Sequence, residues 1–230
     1  MNKAVIITGA SGNLGRVTAE KFLADGYSVA AALAPGETPG LFKEHPRADI
    51  HYADLLNESD AETFVDRVIQ KHKAIHAALL LVGGYASGNI RDTSASDLKR
   101  MYSLNFETAY HVARPVFNQM IQQNGGKIVL IGARPALVAS QAKGSLSYAL
   151  SKSLIFKLAD ILNAEGAAHN VTVTVIVPSI IDTPANRKSM PDADFSAWVK
   201  AEDIAAAMAY VVSDAASPLR DTVLKMYGKV

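Results

Sequence analysis

Short runs that are apolar at nearly every position alternate along this chain with longer stretches in which apolar residues return every three or four places. The short runs fall at 3–8, 27–33, 50–53, 75–82, 126–131, 171–177 and 222–227, and they predict seven strands. The longer stretches at 14–25, 58–73, 95–123, 145–166 and 201–213 predict helices; in the second, Phe64, Val65, Val68 and Ile69 share one stripe. The 95–123 stretch is long enough for one helix. An interruption is expected near Arg114-Pro115, since proline lacks the N–H that a helix interior needs. Strands apolar on both faces and separated by helices predict a parallel sheet covered on both sides. No boundary, repeat or low-complexity segment divides the chain, so one doubly wound α/β domain over 1–230 is expected. Two stretches, 34–47 and 178–199, carry no regular period, and loops of that length are functional or disordered.

Composition narrows the partners. The 230 residues are 49% hydrophobic, enough for a sizeable core, and 23 Lys plus Arg against 22 Asp plus Glu leave a net charge of +1. No strong field exists to recruit nucleic acid or an anionic membrane. Cysteine is absent, which excludes disulfides, thiolate metal sites and cysteine nucleophiles. The apolar run that starts after Met1, Asn2 and Lys3 is too short for a signal peptide, and 77–82 is far below a membrane-spanning length. A soluble cytoplasmic protein is expected. His45, His51, His72, His76, His111 and His169 form no metal-ligand spacing and read as surface or structural; no metal is expected.

The first chemistry lies at Thr8-Gly9-Ala10-Ser11-Gly12-Asn13-Leu14-Gly15, between the first strand and the first helix. Glycines there permit a tight turn and a close backbone approach, and the helix N-terminus offers free N–H groups to a diphosphate. The position after a strand and before a helix favours a dinucleotide site over a plain turn. Asp54, after the third strand, reads either as an acceptor for an adenine amino group or as a helix cap. The second strand ends Ala30-Ala31-Ala32-Leu33-Ala34-Pro35, without the acid that NAD ribose normally meets. It also lacks a base for a 2′-phosphate, for which Lys43 and Arg16 are the only substitutes, so NADH and NADPH both stay open.

Further on, Tyr148-Ala149-Leu150-Ser151-Lys152 places a phenol and an amine at i, i+4 on one helix face. An ammonium beside a phenol favours the phenolate, so the Tyr148 pKa is expected below the usual value of about 10. Such a tyrosine can pass a proton to a substrate receiving hydride, and Lys152 can hold the nicotinamide ribose.

With the glycine turn and this pair together, the chain resembles the short-chain dehydrogenase/reductase family over essentially its whole length. Asp54, Asn105 and the stretch from Pro178 to Thr183 fall in the family's order. The resemblance implies a Rossmann-type sheet in the order 3-2-1-4-5-6-7, a small-molecule substrate, and a homodimer formed through the long helices. It also implies cofactor contacts from Gly83, Gly84, Pro178 and Thr183. Two departures stand out. The glycines are spaced GxxGxxG rather than the family's usual TGxxxGxG. The family's serine after the fifth strand is replaced, with Ala133 in the segment Gly132-Ala133-Arg134-Pro135-Ala136. Ser140, Ser145 and Ser147 read as loop and cap hydroxyls.

That loss is similar to the dihydropteridine reductase branch of the family, as are three stretches: 82–89, 132–137 and, most specifically, 182–198. The branch implies hydride transfer from NADH or NADPH to a quinonoid dihydropterin, with Tyr148 as proton donor. Such a substrate is already a strong electrophile and needs less help than a ketone, whose oxyanion serine would stabilise. Tyr85, Ala133 and Asn186 are then the expected substrate contacts; Tyr85 reads equally as a loop anchor. Trp198 reads as a buried loop staple. Arg187 and Lys188 read as solvated or paired with Asp192 and Asp194. Asn105 reads as a local polar contact, since its family role depends on the absent serine. Two alternatives remain: another quinonoid or activated carbonyl substrate, or an NAD(P) sensor without turnover.

Overall fold

The computed structural model describes residues 3–229; Met1, Asn2 and Val230, and with them the start of the leader reading, lie outside the described residues. Seven strands form one parallel sheet: β1 (Ala4–Thr8), β2 (Ser28–Leu33), β3 (Ala48–Tyr52), β4 (Ala77–Leu80), β5 (Gly126–Ile131), β6 (Val171–Pro178) and β9 (Val223–Met226). Two short strands, β7 (Ile181–Asp182) and β8 (Val199–Lys200), pair separately with each other. The sheet order is β3-β2-β1-β4-β5-β6-β9, the doubly wound arrangement expected. Its direction reverses between β1 and β4, and a crevice opens at the carboxyl ends of the strands at such a switch point.

The continuous apolar runs have a simple cause: both faces of the sheet are covered. On one face Ile6, Ala30, Ala78, Leu80, Ile128 and Leu130 pack against Phe64, Val68, Val112, Val116 and Ile155. These come from α2 (Glu58–His72), α4 (Thr108–Gln122) and α6 (Leu146–Gly166). On the other, Val5, Ile7, Val29, Leu79, Val129 and Ile176 meet Phe22, Ile204, Met208 and Val212. These belong to α1 (Asn13–Ala24) and α8 (Ala201–Val212). Helix ends follow local chemistry. Asn57 caps α2 by accepting from Asp60 N–H at 3.2 Å, and Ser94 with Asp97 forms a capping box at α3 (Ala95–Tyr102).

Two expectations need correction. The break in the long helix is not at Pro115, which lies inside α4; it is a π-helical turn, Ser103–Glu107, between α3 and α4. Packing of Val112, Val116 and Phe117 on the sheet outweighs the single lost N–H, while the π turn rotates Asn105 into the interior. The 178–199 stretch is also more regular than its sequence suggests. It holds β7, the helix α7 (Pro184–Ser189), a 3-10 turn Phe195–Ala197 and β8. A shorter helix, α5 (Arg134–Leu137), follows β5.

Candidate active site

The glycine turn and the end of β4 are joined by one hydroxyl. Thr8 Oγ1 accepts the N–H of Leu81 at 2.9 Å and of Val82 at 3.4 Å. Gly9 has φ +63°, and a Cβ there would stand 3.2 Å from the Val82 side chain. Gly12 bonds back to the Gly9 carbonyl at 3.0 Å and opens α1. At Gly15 a Cβ would lie 2.0 Å from Gly9 O and 2.8 Å from Ala10 Cα, so only glycine lets α1 start this close to β1. No side chain caps α1 and no acid stands in its first turn, which leaves the amides from Asn13 onward, Leu14 and Gly15 included, free at a positive helix end.

After β4 the chain runs through Gly83 and Gly84 beneath the π turn. Asn105 is 1% exposed; its Oδ1 accepts Gly84 N–H at 2.8 Å and its Nδ2 donates to Gly84 O at 3.1 Å. Nδ2 also reaches Ser151 Oγ at 3.0 Å, and Ser151 donates to Tyr148 O at 2.8 Å. A Cβ on Gly83 would meet Asn105 Oδ1 at 2.7 Å and Lys152 Nζ at 3.2 Å. Gly83 itself is open to solvent, so the crevice is bare backbone on one side and lysine on the other.

Lys152 is 4% exposed and donates to Ile131 O, at the end of β5, at 2.8 Å. Burial lowers its pKa to about 8. The neighbouring phenol moves opposite to expectation. Burial, with the Tyr85 phenol beside it, pushes Tyr148 up to about 12. The lysine amine is turned to a carbonyl rather than to the phenol, so desolvation wins over charge attraction. Tyr85 stands edge-on to Tyr148, with ring centroids 5.2 Å apart, and is 65% exposed.

The remaining expected residues are spread around this centre. Ala133, 2% exposed, immediately precedes α5, two residues past the carbonyl that holds Lys152. Pro178 ends β6, and Thr183 caps α7 by accepting Asn186 N–H at 3.1 Å. The Asn186 amide donates to Ile181 O at 2.8 Å. Asp54 follows β3 at the far end of the crevice; its carboxylate accepts Leu56 N–H at 3.0 Å, while the cap of α2 is Asn57. Arg187 pairs not with Asp192 or Asp194 but with Asp182, at 2.6 and 2.8 Å, and lies over the Phe195 ring. Trp198 is buried beside Phe195. Among the described residues no group of three His, Cys, Asp or Glu is placed to hold a metal.

Residue-by-residue reading overlooked Thr8, Ser151 and Glu37. The first two act through hydrogen bonds that no spacing announces. Glu37 lies 22 positions after Gly15, within the range of a ribose acid, but four residues beyond the last residue of the second apolar run.

A nicotinamide dinucleotide fits what is present: glycines where any Cβ would fill the crevice, an uncapped helix start, and a buried lysine with two of three donors to spare. Lys152 and the 9–15 amides would hold it, and it would supply hydride. The comparisons agree. The chain is 26% identical to dihydropteridine reductase of Dictyostelium discoideum over 212 residues, 89% of this chain and 85% of that one. It is 25% identical to acetoacetyl-CoA reductase of an Acinetobacter species, covering 98% of this chain and 96% of the other. A short-chain type dehydrogenase/reductase structure from Mycobacterium ulcerans superposes with TM-score 0.91 at 23% identity, over 100% of this chain and 90% of that one. Residues 3–194 match the family model for short chain dehydrogenase, a span that runs from β1 into the segment after α7. The chain therefore belongs to the short-chain dehydrogenase family of NAD(P)-dependent oxidoreductases.

Proposed function

We propose that this protein uses NADH or NADPH to reduce a quinonoid dihydropterin to its tetrahydro form. The observation that carries the reading is Ala133: a buried methyl stands where a ketone reductase of this family would offer a hydroxyl, while Tyr148 and Lys152 are retained. A ketone needs its developing oxyanion held, whereas a quinonoid pterin regains aromaticity on accepting hydride and asks less of the protein.

The nicotinamide supplies the hydride when bound. Tyr148, kept protonated by burial, supplies the accompanying proton from its hydroxyl and recovers it from solvent. Lys152 holds the ribose with the donors that Ile131 O does not use. Tyr85, edge-on to Tyr148 and open to solvent, offers its ring face to the flat pterin. Thr183 and Pro178 border the nicotinamide end, Asp54 the adenine end, and the segment carrying Asn186 closes over the substrate.

The assembly that suits this reading is a cytoplasmic homodimer. Tyr110, Leu154 and Ile161 lie 39%, 38% and 47% exposed along one groove between α4 and α6, an apolar face suited to a second copy. Among the described residues no helix is long and apolar enough to cross a membrane.

The test is NAD(P)H oxidation with freshly oxidised tetrahydropterin and, in parallel, acetoacetyl-CoA. Oxidation that requires the quinonoid pterin supports the reading. Turnover of the thioester alone overturns it in favour of ketone reduction, and cofactor binding without turnover in favour of a sensor.

A further inference from the structure

We infer that Glu37, clasped to Ser11, makes the protein selective for NADH over NADPH, and that Arg16 is the opposing group which Glu37 overrides. This rests on the reading of residues 9–15 as the dinucleotide turn. The end of β2 carries no acid through Pro35, but the chain reverses at Gly36, φ +86°, and brings one back. Glu37 N–H bonds Ala34 O at 3.1 Å, and its Oε2 accepts Ala34 N–H at 2.9 Å and the Ser11 hydroxyl at 2.5 Å.

Those bonds fix an exposed carboxylate at the seam where β2 meets the glycine turn, a seam also closed by Ala10 N–H on Ala32 O at 3.2 Å. Both side-chain bonds fall on Oε2, which leaves Oε1 to accept from a vicinal diol. The adenosine ribose of NADH presents that diol. In NADPH a phosphate with two negative charges replaces one hydroxyl and meets the same carboxylate.

The basic groups nearby set the other side of the balance. Lys43 lies 3.7 Å from Glu44. Arg16 donates to Ser11 O at 3.3 Å, and its stem lies 2.9 Å from where a Gly40 Cβ would stand. Ser11 therefore touches an acid through its hydroxyl and a base through its carbonyl. A 2′-phosphate drawn to Arg16 would come to lie beside the Glu37 carboxylate that the Ser11 hydroxyl holds.

The experiment is titration of NADH and NADPH, followed by nicotinamide fluorescence, into wild type, Glu37→Gln, Ser11→Ala and Glu37→Gln/Arg16→Gln. Wild type should bind NADH on the order of tenfold more tightly. Glu37→Gln should erase or invert that ratio, Ser11→Ala should relax it partly, and the added Arg16→Gln should weaken NADPH again. The ratio within each variant controls for any general loss of folding. A wild type that prefers NADPH or binds both equally, or a ratio unchanged in Glu37→Gln, overturns the inference while leaving the dinucleotide turn intact. Binding of neither nucleotide to wild type overturns both.

Discussion

Asn105 grips Gly84 by both ends of one amide, accepting its N–H at 2.8 Å and donating to its carbonyl at 3.1 Å. The glycine pair that floors the crevice is thus fixed by a side chain from the π turn. Through Ser151 the same amide is connected to the backbone of Tyr148. A residue that reads as a local polar contact is the joint between two walls of the site.

Asn105→Ala should therefore destabilise the fold by about 1–3 kcal/mol, because half-buried Gly84 loses both partners and the buried amide's place is left empty. Ser151→Ala, which removes one bond, should cost about 1 kcal/mol. Urea unfolding monitored by circular dichroism checks both; equal and negligible effects would contradict the described network.

Tyr148→Phe should slow reduction by roughly 10²–10⁴-fold, the usual worth of a positioned proton donor. Its affinity for the dinucleotide, measured by fluorescence titration, should stay within about twofold. A variant that turns over at the wild-type rate removes Tyr148 from the reaction.

Lys152 links activity to pH in a definite direction. Burial brings its pKa down to about 8 from an ordinary 10.5, so the ammonium is lost as pH rises through 8. The profile of kcat/KM should fall about tenfold per pH unit above that point. Stability should move the other way. Between 8 and 10.5 the unfolded chain holds a proton on this lysine that the folded one has released, so this group's contribution rises with pH. Tyr148, raised to about 12, makes the opposite contribution only above its ordinary 10. Activity lost between pH 8 and 10 without a drop in melting temperature is the expected signature.

Gly15→Ala should impair folding and nucleotide binding together. Its Cβ would lie 2.0 Å from Gly9 O, and backbone on both sides must shift, at a cost of about 1–3 kcal/mol or more. Denaturant midpoints and NADH titration should both move; a variant that binds normally would mean that α1 can retreat from β1.

Leu154→Glu combined with Ile161→Glu should convert a dimer to monomers in sedimentation velocity without altering the far-ultraviolet spectrum. Both side chains already face outward on α6, so the charges cost the isolated fold little. A sedimentation coefficient that does not change would place the dimer contact elsewhere.

The central strands of the sheet were legible because burial on both faces writes an unbroken apolar run, as in Val5-Ile6-Ile7 and Val175-Ile176-Val177. The glycine turn and the Tyr148–Lys152 pair were legible because each needs fixed residue types at fixed distances. What escaped is mediated by geometry alone. A π turn leaves the hydrophobic period almost untouched, so Pro115 drew attention away from Ser103–Glu107. The Tyr148 pKa was misjudged because i, i+4 spacing says where Lys152 sits and not that its amine turns to Ile131 O. Glu37 escaped because only the loop's reversal at Gly36 returns it to Ser11.

The π turn also bears on how the chain tolerates insertions and deletions. Five residues there occupy one wide coil, so the segment carries an additional residue over a uniform α-helix of the same reach. Excising one of them other than Asn105 would let the coil relax to that uniform helix with the flanking turns left in phase. Met101 would stay buried and the start capped by Ser94 would stay in place, while the bulge that aims Asn105 at Gly84 would be gone. The additional residue at 103–107 is thus kept for where it turns one amide, that of Asn105, and not for the length of the helix.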